Sequence, residues 1–265
     1  MINSELQTVI LEAGLILKDG FQKNKKIDFK GKVDLVTEFD VKIEKFLTKK
    51  IEKIYPDFQI IGEESDAKID ENNSKKIYID PIDGTTNFVH GIPFCAISIG
   101  FWEDNQPKIG IVYNPVLEQF FYAEKGQGAF LNDSQIKVSD TSSLLNSLLS
   151  TGFPYTKVEK GDDFHWSINS FQNILPFTRD VRRLGSASLD LCYLAQGTFD
   201  GYFELNLKAW DVSAGILIVQ EAGGSISNQY GNNYQIEKDR IIVASNSKIH
   251  SDIIDKLDTT ITIQN

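Results

Sequence analysis

The stretch Ile79-Asp80-Pro81-Ile82-Asp83-Gly84-Thr85-Thr86-Asn87-Phe88 decides how this chain is read. A strand-like run over 76–80 leads into Asp80. Pro81 has no backbone N–H and a fixed φ, so the strand is expected to end there. Asp80 and Asp83 then share a turn, three residues apart, where both carboxylates and the peptide oxygen of Ile82 face one point. Gly84 permits close backbone approach. Thr85-Thr86 can open a helical turn whose free N–H groups suit a phosphate oxygen. Convergent carboxylates stay ionised only beside cations. Oxygen donors with no His or Cys nearby favour magnesium over zinc or copper. Asp-Pro and Asp-Gly taken singly are ordinary turn dipeptides; the ten-residue string is not.

Three further acidic positions matter only in combination. Gly62-Glu63-Glu64-Ser65 follows a short strand over 58–61. Asp40 lies early in a helix that starts after Val36-Thr37, runs to Tyr55 and stops at Pro56. Trp210-Asp211 stands at the mouth of a helix over about 212–222, where an Asp alone is an N-cap.

Outward from these positions the chain alternates. Ser4 can cap a first helix over about 5–22. The lysine-rich stretch 23–32 reads as a solvated loop, as does 65–75. Residues 94–137 break into β segments at 96–102, 109–113, 119–123 and 129–132, with turns at Asn105-Gln106-Pro107 and Gly126-Gln127-Gly128. The Gly126-x-Gly128 pair is a hairpin turn and not a dinucleotide loop, because no helix opens after it. Beyond it come strands at 145–150, 180–183, 202–205, 225–227 and 241–244, and helices at about 164–175, 186–197, 212–222 and 247–257. This mixture without a strict βαβ rhythm predicts an α+β layered protein.

The bulk properties exclude several classes. The chain has 265 residues, 41% of them hydrophobic, enough for a packed core. A formal net charge of -10 argues against broad nucleic-acid contact. Cys95 and Cys192 lie in apolar runs with no Cys-x-x-Cys spacing, so each reads as a small buried hydrophobe. No signal segment or membrane span is read, which predicts a cytoplasmic protein with no membrane partner. There is no Gly-x-Ser-x-Gly, and His90, His165 and His250 are scattered, so no protein nucleophile is expected.

Together, Val33-Asp34-Leu35-Val36-Thr37-x-x-Asp40, Gly62-Glu63-Glu64, Asp80-Pro-Ile-Asp83-Gly-Thr85 and Trp210-Asp211 stand in the order of the inositol monophosphatase family. The chain resembles that family from about residue 5 to 258. Asn87-Phe-Val-His-Gly-Ile-Pro-Phe and Arg183-Leu-Gly-Ser-Ala-Ser look most like its bacterial inositol-1-monophosphatase branch. The resemblance implies an α-β-α-β-α sandwich, as one domain over 1–265 with a metal-binding half at about 1–140 and a second half at about 141–265. It also implies a homodimer, lithium sensitivity and two or three Mg2+ per active site. Glu63, Asp80 and the Ile82 carbonyl would hold a first ion. Asp80, Asp83 and Asp211 would hold a second, and Glu63 would touch a weaker third. Thr85 with Asp40 would orient and deprotonate the attacking water, so Thr85, Asp40 and Glu63 are the implied catalytic set. Gly84 and Thr85 would bind phosphate.

Substrate choice rests on fewer residues. Glu204 matches a carboxylate that accepts hydrogen bonds from ring hydroxyls, and Gly185, Ser186 and Ala187 match the segment lining the same side. Lys30 matches a lysine on the family's mobile loop, and Lys208 stands where some members carry His. The substrate expected is a small phosphorylated polyol or sugar, inositol monophosphate first. The rivals are fructose 1,6-bisphosphate, 3′-phosphoadenosine 5′-phosphate and histidinol phosphate. An alternative of another class is a regulatory protein of the RNA machinery that retains the fold.

Overall fold

The computed structural model describes residues 2–23, 25–30, 34–65, 70, 73–261 and 263. Val33, Lys32 and most of the expected loop at 65–75 lie outside the described residues. Two helices open the chain, α1 (Ser4–Phe21) and α2 (Glu38–Ile54), with a small hairpin, β1 (Ile27–Phe29) and β2 (Leu35–Thr37), between them. A seven-stranded sheet follows: β3 (Gln59–Gly62), β4 (Lys75–Asp83), β5 (Ala96–Glu103), β6 (Gln106–Asn114), β7 (Gln119–Glu124), β8 (Ala129–Leu131) and β9 (Ser134–Ile136). The helix α3 (Thr85–His90) leaves β4. The second half supplies β10 (Leu148–Thr151), α4 (Asp162–Ile174), β11 (Asp180–Arg182), α5 (Ala187–Ala195), β12 (Gly201–Leu205), α6 (Ala209–Glu221), β13 (Ser225–Ser227), β14 (Ile241–Ser245) and α7 (His250–Ile254). Its five strands are ordered β11-β10-β12-β14-β13.

Side-chain alternation stacks these pieces into five layers. Along β4, Ile77 and Ile79 face one side with Leu6, Ile10, Ile43 and Leu47 of α1 and α2. Tyr78 faces the other side with Leu189, Leu191, Val212 and Leu217 of α5 and α6. In the second sheet, Tyr202 faces that same middle helix layer, while Phe203 and Leu205 face Trp166 of α4 and Ile253 of α7. The result is the expected α-β-α-β-α order. Because successive residues of a strand point to opposite faces, Asp80 shares the inner face with Tyr78, and Glu204 shares it with Tyr202. Helix α6 lies between the two sheets and is apolar all round, as a doubly covered helix must be. Its close approach requires Gly100, where a Cβ would stand 2.3 Å from Ser213 Oγ.

Several local expectations are corrected. Helix α1 is capped by Asn3 rather than Ser4: the Asn3 side chain accepts from the N–H groups of Glu5 and Leu6. The stretch 23–32 is not all loop, since 27–29 pair with 35–37. Strand β4 does not stop at Pro81. The register shifts between Asp80 and Asp83, which pair with Ser98 and Ala96, so a bulge absorbs the missing proline N–H. The β5–β6 turn is Asp104-Asn105, both at positive φ, and Gln106-Pro107 already belong to β6. Residues 144–146 form a 3-10 turn, so the strand expected at 145–150 begins at Leu148. Helix α6 starts at Ala209, which makes Asp211 its third residue and not its cap. The last helix is confined to 250–254. Gly126 and Gly128 do form the hairpin turn, and the Glu221 carboxylate accepts from both of their N–H groups.

Candidate active site

Three structural devices carry the acidic side chains to one cavity of about 380 Å³ between the two halves of the sandwich. The first is the bulged end of β4. Asp80 is 2% exposed, and its Oδ1 accepts from the Ile82 N–H at 3.0 Å. Asp83 Oδ2 accepts from Ser186 Oγ and from the Ser188 N–H, both at 2.7 Å, which ties β4 to the start of α5. Gly84 sits at φ 90°, the left-handed region that favours glycine, and turns the chain sharply into α3.

The second device is a capping box at the start of α2. Thr37 donates through its N–H (2.8 Å) and hydroxyl (2.5 Å) to Asp40 Oδ2, and its hydroxyl accepts from the Phe39 N–H. That leaves Asp40 Oδ1 to accept from Thr85 Oγ1 at 3.2 Å. The Thr85 hydroxyl also lies 3.0 Å from the Ile82 oxygen. The third device is the first turn of α6, where Asp211 Oδ2 accepts from the Lys208 N–H at 2.7 Å. Helices α2 and α6 thus present an acid from the same position of their first turns.

Electrostatics in this cavity are unfavourable for the chain alone. Burial, followed by repulsion from Glu63, Asp83 and Asp211, pushes Asp80 well above the usual carboxylate range. Burial and then Glu63 and Asp83 do the same to Asp211. Asp83 is raised by burial despite its bonds to Ser186 and Ser188. Asp40 is pushed up to about 6, mainly by burial. Lys30, directly after β1, places its Nζ 2.8 Å from Glu63 and 2.5 Å from Glu64. Burial opposes its charge, but those two carboxylates hold it protonated above its ordinary range.

The donor set fits hard divalent cations. Among the described residues, the second oxygen of Asp80, Asp83 and Asp211 makes no hydrogen bond, so each keeps a free acceptor in the cavity. No three His, Cys, Asp or Glu side chains of the described residues close into a finished cage. A larger and more open hollow of about 650 Å³, beside Ser139, Arg179 and Asp200, offers no comparable acids. There Asp200 is already bonded to Ser139 Oγ and the Leu148 N–H, and Asp140 is paired with Lys248.

The sequence model of the inositol monophosphatase family matches residues 1–262. The chain belongs to the inositol monophosphatase family. Among its relatives, the inositol-1-monophosphatase of Synechocystis sp. is 39% identical, over 97% of this chain and 91% of that protein. The Nus factor SuhB of Pasteurella multocida is 36% identical, over 93% and 91%. The solved structure of the extragenic suppressor protein suhB from Bartonella henselae has 35% identity and a TM-score of 0.88, covering 96% of this chain and 97% of that one. Membership supports a phosphatase, and the layered fold is that of the family's solved structures.

Within this family member the cavity wall includes Lys30, Glu63, Asp80, Ile82, Asp83, Gly84, Thr85, Gly185, Ser186, Ala187, Glu204 and Asp211, all singled out from the sequence. Asp40 joins them through Thr85. Glu204 enters from β12. Tyr202 Oη donates to its Oε2 at 2.5 Å, and burial pushes its carboxyl up to about 7. Sequence reasoning missed Gly152, Tyr155 and the part played by Arg183, which also line the cavity. Arg183 had a visible signal in the Arg182-Arg183-Leu-Gly-Ser string, whereas Gly152 and Tyr155 follow a strand with no motif to mark them. His250 is engaged by Ser227 and Ser245 and takes no part in the cavity.

Proposed function

We propose that this protein is a magnesium-dependent phosphomonoesterase and that inositol monophosphate is its best single substrate. The observation that carries the reading is the arrival of Asp80, Asp83, Asp211 and Glu63 on one cavity wall beside the Thr85–Asp40 pair. Glu63, Asp80 and the Ile82 carbonyl would hold one Mg2+, and Asp80, Asp83 and Asp211 a second, with Glu63 reaching a weaker third. When bound, such ions neutralise the phosphate, lower the pKa of water and stabilise the departing alkoxide.

The chain's own groups supply the rest. Thr85 Oγ1 gives its proton toward Asp40 Oδ1, which leaves a lone pair to take a proton from the attacking water. Asp40 is suited to receive it, because burial lifts its carboxyl to about 6, closer to neutrality than an exposed aspartate. The backbone at Gly84 and Thr85 faces the phosphate. Glu204 accepts from substrate hydroxyls, and Gly185, Ser186 and Ala187 shape the wall around them. An in-line displacement by water needs no protein nucleophile.

The protein would work as a single-domain homodimer in the cytoplasm, and lithium would inhibit it by competing for a cation position. Among the described residues no helix is long and apolar enough to cross a membrane. A second reading, a regulatory role beside catalysis, is favoured by the relative named Nus factor SuhB.

The test is phosphate release from inositol 1-phosphate, fructose 1,6-bisphosphate, 3′-phosphoadenosine 5′-phosphate and histidinol phosphate, each with magnesium and with EDTA. Magnesium-dependent release, fastest on inositol 1-phosphate, supports the reading. Release from none of the four would sink it and leave the regulatory role.

A further inference from the structure

Helix α2 carries a second buried acid that takes no part in the proton transfer. Glu44 lies one helical turn after Asp40, so the two side chains leave the same face of α2. Both are buried, Glu44 with 4% exposure. Burial lifts the Glu44 carboxyl above its ordinary range, so the group costs stability that an apolar side chain would not. It is not part of the cavity wall.

Its contacts bracket Glu63. On one side, Glu44 Oε2 accepts from the Glu64 N–H at 2.8 Å. On the other, Gly62 packs directly on the Glu44 carboxyl: a Cβ at residue 62 would lie within 2.6 Å of its carbon and both of its oxygens. Only glycine admits the carboxyl there. A third tie comes from β4, where the Ile79 oxygen, directly before Asp80, accepts from the Glu63 N–H at 3.1 Å. The chain is thus held at Gly62, Glu63 and Glu64 in succession, at two of them by Glu44. Glu63 needs that hold. It lies past the end of β3, and Lys30 draws its carboxylate and that of Glu64 to itself.

We propose that Glu44 is a positioning residue for Glu63: by gripping Gly62 and the Glu64 N–H it fixes the turn that carries the Glu63 carboxylate to the metal wall beside Asp80. This rests on the magnesium-dependent reading and names a determinant of that same site. Glu44 touches neither cation nor substrate and acts through the backbone on both sides of Glu63. A ligand held in place before the ion arrives binds it more tightly, because less ordering remains to be done. Partners that orient a ligand in this way are worth about 10–100-fold in metal affinity. Helix α2 then serves the site twice, through Asp40 on Thr85 and through Glu44 on Glu63.

The experiment measures magnesium binding by calorimetry, without substrate, and the Tm in EDTA. It compares the full chain with Glu44→Gln, Glu44→Asp and Glu44→Ala. Glu44→Asp keeps the charge but is one methylene too short for the Glu64 N–H. It should weaken magnesium binding by about tenfold or more, as should Glu44→Ala. Glu44→Gln keeps the length and an acceptor, and should restore binding close to that of the native chain. A merely structural role would lower the Tm and leave magnesium binding unchanged. Adding Glu44→Ala to Glu63→Ala should weaken binding little further, because the first acts through the second. Three results would overturn the proposal: unchanged binding in Glu44→Asp, an equal loss in Glu44→Gln, or losses from Glu44→Ala and Glu63→Ala that add. Glu44→Asp carries the test if Glu44→Ala does not fold. The readout does not depend on turnover. A chain that binds magnesium but cleaves no ester overturns the phosphatase reading and leaves the role of Glu44 to these variants. A native chain that binds no magnesium overturns both.

Discussion

The Thr85 hydroxyl lies 3.2 Å from Asp40 Oδ1, although 45 residues separate the two in the chain. The contact exists because the other Asp40 oxygen is consumed in capping α2, which fixes the carboxylate with its remaining oxygen toward β4. The cap and the proton acceptor are therefore one side chain, and its structural and chemical roles can be separated by substitution. Thr85→Ala removes the hydroxyl and leaves the cap. It should lower kcat by about 10²–10⁴ with little change in thermal stability. Asp40→Asn should lower kcat similarly, but it also weakens the capping box, at a cost of about 1 kcal/mol. Steady-state kinetics paired with thermal melts check both; a Thr85→Ala enzyme with normal kcat would remove Thr85 from the chemistry.

Stability without metal should fall as pH rises. Asp40 and Glu204 have folded-state pKa values of about 6 and 7, above their ordinary 3.8 and 4.5, and Asp80, Asp83 and Asp211 are raised as well. Between the unfolded and folded values the native state binds more protons, so unfolding free energy declines with pH across about 4 to 7. A shift of two units is worth on the order of 3 kcal/mol for one buried group. Lowered carboxyls such as Glu237 act in the opposite sense with smaller shifts. Calorimetry in EDTA should give a lower Tm at pH 8 than at pH 5, and magnesium at pH 8 should recover the loss, since cations bind the ionised acids. A Tm in EDTA that climbs from pH 5 to 8 would mean that the acids are not under strain.

Removing one metal acid should separate cation binding from folding. Asp83→Asn keeps an acceptor for Ser186 and Ser188 but loses a charge. It should weaken magnesium activation by about tenfold or more while the metal-free protein keeps or gains stability. A magnesium titration of the rate, set beside melts in EDTA, reads both effects. Unaltered magnesium dependence would remove Asp83 from the ligand set.

Gly152 and Glu204 make a steric pair. A Cβ on Gly152 would stand 2.0 Å from Glu204 Oε1, so Gly152→Ala must move that carboxylate. Kinetics on inositol 1-phosphate and on a phosphate ester without ring hydroxyls should show about a tenfold loss in kcat/KM for the first and little for the second, as should Glu204→Gln. Equal effects on the two esters would show that Glu204 does not read hydroxyls.

The sequence by itself determined the acidic set and its order. Asp80 and Asp83 could be picked out from the Asp-Pro-Ile-Asp-Gly string itself, whereas Glu63 and Asp211 were legible only through the order of motifs that resembles the inositol monophosphatase family. The helices α1 and α2 were legible from their apolar spacing, because one face meets the core and the other meets water. Helix α6 was misjudged at its start, since a helix buried on all sides has no polar face to mark its ends. Only the tertiary structure decided that β4 continues through Pro81, because the bulge depends on its pairing with β5. Only it decided that Asn3 caps α1 and that Asp40 and Asp211 occupy third positions, since a cap is a matter of hydrogen-bond geometry. The meeting of the acids with Gly152 and Tyr155 in one cavity was likewise invisible, because it depends on which ends of two sheets meet across a layer of helices. Local chemistry is written in neighbouring residues, whereas the shape and charge of a cavity arise from segments that burial of apolar surface brings together from far along the chain.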